Sequence, residues 1–203
     1  VDAHHNTVVG QAAMTADAGD QNTVMGQSAM NLGTGEHNTV LGYYAGGQLS
    51  TGSRNIIIGH ESGSNLFSNG IFQCTTHNDR IIMGTDEATN AYIEIAWTVT
   101  SDARDKTSIT DIPVGLNLLN ELRPVSYKFK KSREDDTPTG KTRYGFLAQE
   151  VMEIEGDNPV IIDNEQDEKL KMTTDNLVAV LVKSVQELSA KVEELENNKC
   201  KCE

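Results

Sequence analysis

Asn6-Thr-Val-Val-Gly10, Asn22-Thr-Val-Met-Gly26, Asn38-Thr-Val-Leu-Gly42 and Asn55-Ile-Ile-Ile-Gly59 are versions of one pentapeptide, spaced 16, 16 and 17 residues apart. A small residue follows each of the first three at Ala13, Ala29 and Ala45, and Arg80-Ile-Ile-Met-Gly84 reads as a degenerate copy after a 25-residue interval. Self-similarity at a fixed period marks stacked supersecondary units, none of which buries its apolar face alone. The β-branched triplets read as short strands, and Gly with Asn as the tight bends between them. One chain of so thin a stack holds little core. The expectation is therefore that several chains wrap around one axis to bury it.

The pattern resembles the Asn-Thr-Ala-x-Gly-type repeats of phage tail fibres and the head repeats of trimeric autotransporter adhesins. That resemblance implies a trimeric repeat β-structure, a β-helix or β-roll stalk. Beyond the repeats, Ile81-Ile-Met83 and Tyr92-Ile-Glu-Ile-Ala-Trp97 read as two more strands. In the second, Tyr92, Glu94 and Ala96 face one way and Ile93, Ile95 and Trp97 the other. This segment is expected to cap the repeat stack and lead into a junction.

Composition changes near residue 100. Residues 1–100 carry two basic and nine acidic residues, a net of −7, whereas residues 101–203 carry 15 and 21, a net of −6. The break places a domain boundary there, giving a repetitive β domain over 1–100 and a second domain over 101–203. The total of −13 over 203 residues argues against nucleic acid as a partner, because phosphate binding needs cations to displace counterions. No apolar run approaches the roughly 20 residues that span a bilayer, so no membrane insertion is expected. The chain opens Val-Asp-Ala-His-His without a signal peptide or an initiating Met, and reads as a piece of a longer protein. Three cysteines, two of them in Cys200-Lys-Cys202, make no disulfide framework; the terminal two read as an unpaired thiol pair.

In the second domain a helix is expected from about Val114 to Leu122, ended by Arg123-Pro124. Val125-Ser-Tyr-Lys-Phe129 alternates as a half-buried strand and leads through a charged turn to a return strand ending at Tyr144. A short helix over Phe146–Met152 follows, then a hairpin pairing Val160–Ile162 with Leu170–Met172. Val178, Leu181, Val185, Leu188, Val192 and Leu195 alternate spacings of three and four, a heptad seam over a coiled coil of about 176–197. Asp175 is placed to cap its start, and Glu187 with Lys191 forms an i,i+4 pair. Val at a with Leu at d leans towards two strands.

The junction reads Thr98-Val-Thr-Ser101-Asp102-Ala-Arg-Asp-Lys106. Taken alone, Ser-Asp before a charged stretch is a turn or helix cap. Four blocks in order change that reading. They are Ser101-Asp102-x-Arg104-x-Lys106, Leu122-Arg-Pro-Val-Ser-Tyr127-Lys-Phe129, Tyr144-Gly-Phe-Leu-Ala-Gln-Glu150 and the terminal heptad helix, together covering residues 101–203. The set resembles the C-terminal intramolecular chaperone domain of phage tailspikes and tail fibres, a self-cleaving serine peptidase of the endosialidase type, with a relative in the myelin regulatory factors.

The resemblance implies a Ser–Lys dyad with Ser101 as nucleophile and Lys106 as its base, and a homotrimer rather than a dimer. A serine hydroxyl is a poor nucleophile until a neighbour takes its proton, and a lysine does so near neutral pH only when burial disfavours its ammonium form. Trimer assembly would supply that burial. The family's cut adjoins the serine, and two bonds remain open. Attack on the preceding carbonyl passes through a five-membered ring and cleaves Thr100–Ser101. Cleavage of Ser101–Asp102 needs another chain's serine or an activated water.

Gln149 is a supporting candidate near the dyad. His5 and His37 share one repeat position, but Gln21 and Arg54 fill it elsewhere, so no metal and no cofactor are expected. Lys128, Lys130, Lys131 and Arg133 beside Glu134-Asp-Asp136 read as a solvated hairpin tip. The fold class is thus mixed, a trimeric β-helix or β-roll stalk followed by an α+β chaperone domain ending in a long coiled-coil helix. The resemblance further implies a virion tail fibre or tailspike, folded in the bacterial host cytoplasm, whose partner is a host cell-surface receptor, saccharide or protein. An uncleaved structural fibre or adhesin is the alternative.

Overall fold

Each repeat forms one strand, and the strands stack in parallel. The computed structural model describes residues 5–16, 19–64 and 71–199, and the chain divides into compact units at Val1–Tyr92 and Ile93–Glu203. In the first, β1 (Thr7–Val9), β2 (Thr23–Met25), β3 (Thr39–Leu41), β4 (Ile56–Ile58) and β5 (Ile81–Met83) make a five-stranded parallel sheet in the order of the sequence. Register follows the repeat: Val24 lies opposite Val40, Val40 opposite Ile57, and Ile57 opposite Ile82. This is a parallel β-solenoid. The degenerate copy is a full rung, since the longer interval before it is taken up between β4 and β5.

The middle residue of each triplet from β2 onward is buried and its neighbours in the triplet are half-buried or exposed. Val24, Val40, Ile57 and Ile82 join Ala13, Ala29, Ala45, Met30 and Leu49 in one continuous core. Burying each of the large side chains is worth roughly 1.5–3 kcal/mol. The core therefore lies within a single chain, contrary to the expectation that several chains must wrap together to make one. The cross-section is small enough for the strand's middle side chain and a few loop side chains, such as Ala29 with Met30 or Ala45 with Leu49, to fill each rung.

The repeat asparagines are not simply bend formers. Asn22, Asn38 and Asn55 are buried, and their amides run a ladder along the stack. Each Oδ1 accepts the next rung's backbone N–H: Asn6 from Asn22 at 2.7 Å, Asn22 from Asn38 at 2.9 Å, Asn38 from Asn55 at 3.0 Å, Asn55 from Arg80 at 3.0 Å. Each Nδ2 donates to a loop carbonyl, of Gly35, Gly52 or His77 for the three buried ones. The residue before each rung, His5, Gln21, His37, Arg54 or Asp79, has φ between 59° and 66°. Left-handed backbone there costs on the order of 1 kcal/mol per residue. The ladder offsets it, because each buried donor or acceptor left unpaired would cost about 1–3 kcal/mol.

Glycine after the triplet is required by close approach. At Gly26, with φ +138°, a Cβ would lie 2.2 Å from the Gly42 carbonyl oxygen of the next rung. No rotation of a side chain relieves a contact with backbone.

The second unit contains α1 (Leu116–Glu121), β6 (Val125–Lys130), β7 (Pro138–Gly145), α2 (Ala148–Glu155), β8 (Ile162–Asp163), β9 (Lys171–Met172) and α3 (Thr174–Lys199). β6 and β7 form an antiparallel hairpin with an irregularity between Tyr127 and Phe129, and β8 pairs with β9. Leu118 and Leu122 pack with Val151, Ile161, Ile162, Leu177 and Val180. The α+β order matches the expected elements, but the expected strand Tyr92–Trp97 is not one. Its residues carry no strand pairing and are exposed, because no strand edge among the described residues receives them.

Candidate functional site

The junction is built by one turn of 3₁₀ helix. Asp102 starts it, its carboxylate accepting the Arg104 backbone N–H at 2.9 Å, and Ala103–Asp105 form the turn. The Arg104 guanidinium closes on the same carboxylate, Nη2 at 2.6 Å from Oδ2. That side-chain hydrogen bond is the main reason the Asp102 carboxyl is held below its ordinary range. Asp102 is thereby occupied, and is not placed to take a proton from the neighbouring serine.

Because the turn reverses direction, Lys106 folds back over it. Lys106 Nζ donates to Ser101 Oγ at 2.7 Å. Two side chains five residues apart thus meet through local geometry alone. Both are exposed in the single chain, and the ammonium is the donor. To activate Ser101 the amine must first lose a proton, a change that exclusion of water favours. Gln149 lies in α2, and among the described residues no hydrogen bond joins it to Ser101 or Lys106. Thr100, whose carbonyl precedes Ser101, is exposed and lies outside any helix or strand.

The helix α3 presents two faces. Leu177, Val180 and Ser184 are buried, and α1 packs on α3. Glu187 continues this face: its Oε2 accepts the Leu116 backbone N–H at 2.9 Å, closing the start of α1. Rather than pairing with Lys191, Glu187 is claimed by the start of α1, since orphan helix donors need an acceptor. Gly115 leaves the room, because a Cβ there would lie 2.6 Å from Glu187 Oε1. Asp175 falls inside the first turn rather than at the cap position, where its charge still suits the helix N-terminus. The other face carries Val178, Leu181, Val185, Leu188, Val192 and Leu195, all exposed. The full heptad seam is free while the helix is held by its own domain.

Two further contacts were not legible in advance. The Arg123 guanidinium grips both oxygens of Glu150, tying the Leu-Arg-Pro block to the Gly-Phe-Leu-Ala-Gln-Glu block. Glu155 accepts the backbone N–H groups of Val160 and Ile161 at 2.9 and 2.8 Å, and that of Ile162 at 3.1 Å. Glu150 lies within a recognised block, but its partner is 27 residues away, and Glu155 lies in none, with partners five to seven residues on. At the hairpin tip, Lys130 pairs with Asp136 and Lys131 with Asp135, so two of its four cations are locally neutralised. In the repeat column that holds His5 and His37, Arg54 is paired with Asp79. Among the described residues no group of three or more His, Cys, Asp or Glu is placed to hold a metal, and no helix is long and apolar enough to cross a membrane. Cys200 and Cys202 lie outside the described residues.

Residues 101–161 match the family model described as chaperone of endosialidase, a family of self-cleaving chaperone domains that implies trimer formation. The match begins at Ser101 and ends before α3. Residues 101–161 are thus similar to an endosialidase-type intramolecular chaperone domain. No curated protein and no solved structure matches the chain.

Proposed function

We propose that the chain is the distal part of a homotrimeric phage tail fibre or tailspike whose C-terminal domain aligns three chains and then cuts itself free next to Ser101. The carrying observation is the 2.7 Å hydrogen bond between Lys106 Nζ and Ser101 Oγ at the first residue of the family match. In this reading the α3 seam brings three chains into register, which helps because nonlocal strand pairing between chains is slow and exposes sticky edges. Assembly shields the dyad, Lys106 loses its proton, and it accepts the Ser101 hydroxyl proton as Oγ attacks.

If the attacked carbon is the Thr100 carbonyl, the Thr100–Ser101 C–N bond breaks as the ester C–O bond forms, and the proton passes to the Ser101 amine. Water then hydrolyses the ester, leaving a Thr100 carboxylate and restoring the hydroxyl. If Ser101–Asp102 is cut, the attacking oxygen comes from another chain's serine or from water activated by the dyad. The solenoid left behind is the stalk or tip, in the virion, with a host cell-surface receptor as its partner and folding in the bacterial cytoplasm.

Fresh wild-type protein is compared with Ser101→Ala and Lys106→Ala on denaturing gels, with fragment masses by mass spectrometry. Two fragments of near-equal mass are expected from wild type only, and the new N-terminus identifies the bond. Cleavage persisting in Lys106→Ala sinks the dyad. The exposure of both side chains in the single chain favours one other reading, a trimerisation domain that stays attached. A stable full-length trimeric wild type would establish it.

A further inference from the structure

Ile93, Ile95, Trp97 and Val99 alternate with Glu94, Ala96, Thr98 and Thr100, the side-chain period of a strand with one apolar face. They are 51%, 77%, 76% and 70% exposed. Among the described residues the backbone of 91–100 makes no hydrogen bond. The segment has the sequence of a half-buried strand and lacks both things that make one, a covered face and a paired backbone. The solenoid preceding it pairs each of its described strands within the chain, unlike this segment.

The α3 seam is a second, longer exposed apolar run of the 93–203 unit, and a heptad seam is filled by another helix of its kind. Association through the seam holds the other copies' 93–99 segments nearby, at the raised effective concentration of tethered groups. Charge permits close approach. Glu94 is the sole charged residue between 93 and 100, and it lies on the face opposite the four apolar side chains.

We infer that residues 93–99 become a strand only in the assembly, paired with the same segment of other copies of this chain, apolar face inward. This rests on the self-association reading above and adds where the chains meet ahead of the cut. Val99 stands two residues before Ser101, so the pairing excludes water beside the Ser101–Lys106 pair. It is a cause for shielding that the coiled coil alone, following at the far end of the domain sequence, does not supply.

Trp97 is the only tryptophan, so its fluorescence reports on this segment alone. The full chain carrying Ser101→Ala, with its intact mass checked by mass spectrometry, is measured for mass by light scattering, for emission and for acrylamide quenching. The reference is the same chain with Leu181→Asp and Leu188→Asp, and also the unaltered seam diluted until the mass falls to one chain. In the assembled protein the emission should shift to the blue and quenching fall several-fold relative to both references. Adding Ile95→Asp should restore water-exposed emission while the assembled mass persists; Glu94→Gln should change neither. A trimer with water-exposed Trp97 overturns the inference and leaves the self-association reading standing. Shielded Trp97 in the single chain also overturns it, since the cover would then be the chain's own. A Ser101→Ala chain that remains one chain at all concentrations defeats both.

Discussion

The solenoid and the C-terminal unit handle unsatisfied groups in opposite ways. In the solenoid every rung closes on its neighbour within one chain: strands pair in register, amides run from Asn6 to Arg80, and the middle residue of each triplet after the first is buried. The C-terminal unit folds around a small core and leaves the α3 seam uncovered. One region closes its backbone pairing and its core within a single chain. The other is complete enough to fold, but keeps a surface that only further chains can fill.

The largest test of that contrast is Leu188→Asp. A charge in the seam should abolish assembly, weakening association at least about a hundredfold, since each 1.4 kcal/mol is tenfold and a charge must be buried in every chain. Helical circular dichroism and solenoid stability should be unchanged. Loss of the fold along with the assembly would mean that the seam face also serves the single chain.

Asn38→Ala strikes the opposite region. It leaves the Asn55 backbone N–H and the Gly52 carbonyl without their partners, and should destabilise the solenoid by about 2–5 kcal/mol, read from chemical denaturation. The oligomeric state of the folded protein should not move. An effect under the measurement error would show that loop groups or water replace the ladder.

Glu187→Ala separates the two faces of α3. Removing the acceptor of the Leu116 N–H should cost about 1.5–3 kcal/mol of domain stability while the seam still associates. Equal loss of stability and association would merge the two faces into one function.

The smallest effect is expected at the exposed Arg54–Asp79 pair. The hydrogen bond from Arg54 holds the Asp79 carboxyl below its ordinary range. A carboxyl depressed in the fold stabilises above its unfolded value, and that contribution disappears as pH falls through the folded value. Asp79→Asn should therefore lower the thermal midpoint slightly at neutral pH and converge with wild type in acid. A difference that grows in acid would reverse the sign and contradict the pairing.

Much of this architecture was legible in the chain because its signals are local. The repeat spacing located β1–β4 and the small residues at Ala13, Ala29 and Ala45. Three-four spacing located the seam, and the return from Val125 to Tyr144 located the hairpin. The pairing of Ser101 with Lys106 came from the resemblance rather than from spacing, yet its geometry is a local turn. What escaped was nonlocal or competitive. An asparagine that bonds to the next rung looks in sequence like one that makes a bend, because both need a small amide beside left-handed backbone. Glu187 had a plausible partner four residues on, and a helix start 71 residues back took it instead. Tyr92–Trp97 has the pattern of a strand, but pattern does not provide an edge to pair with.

The ladder has a direction, and that bears on how such a stack evolves. Every rung lends its amide oxygen to the one that follows, so each unit needs a donor ahead and none behind. Arg80 contributes its N–H to Asn55 but carries no amide to pass onward, and the series stops there. Copies inserted upstream of Arg80 would leave this terminator untouched, each lengthening the stack by one strand spacing of about 4.8 Å. Length is then set by duplication and the end by a single residue. A lineage can vary its reach without redesigning its tip.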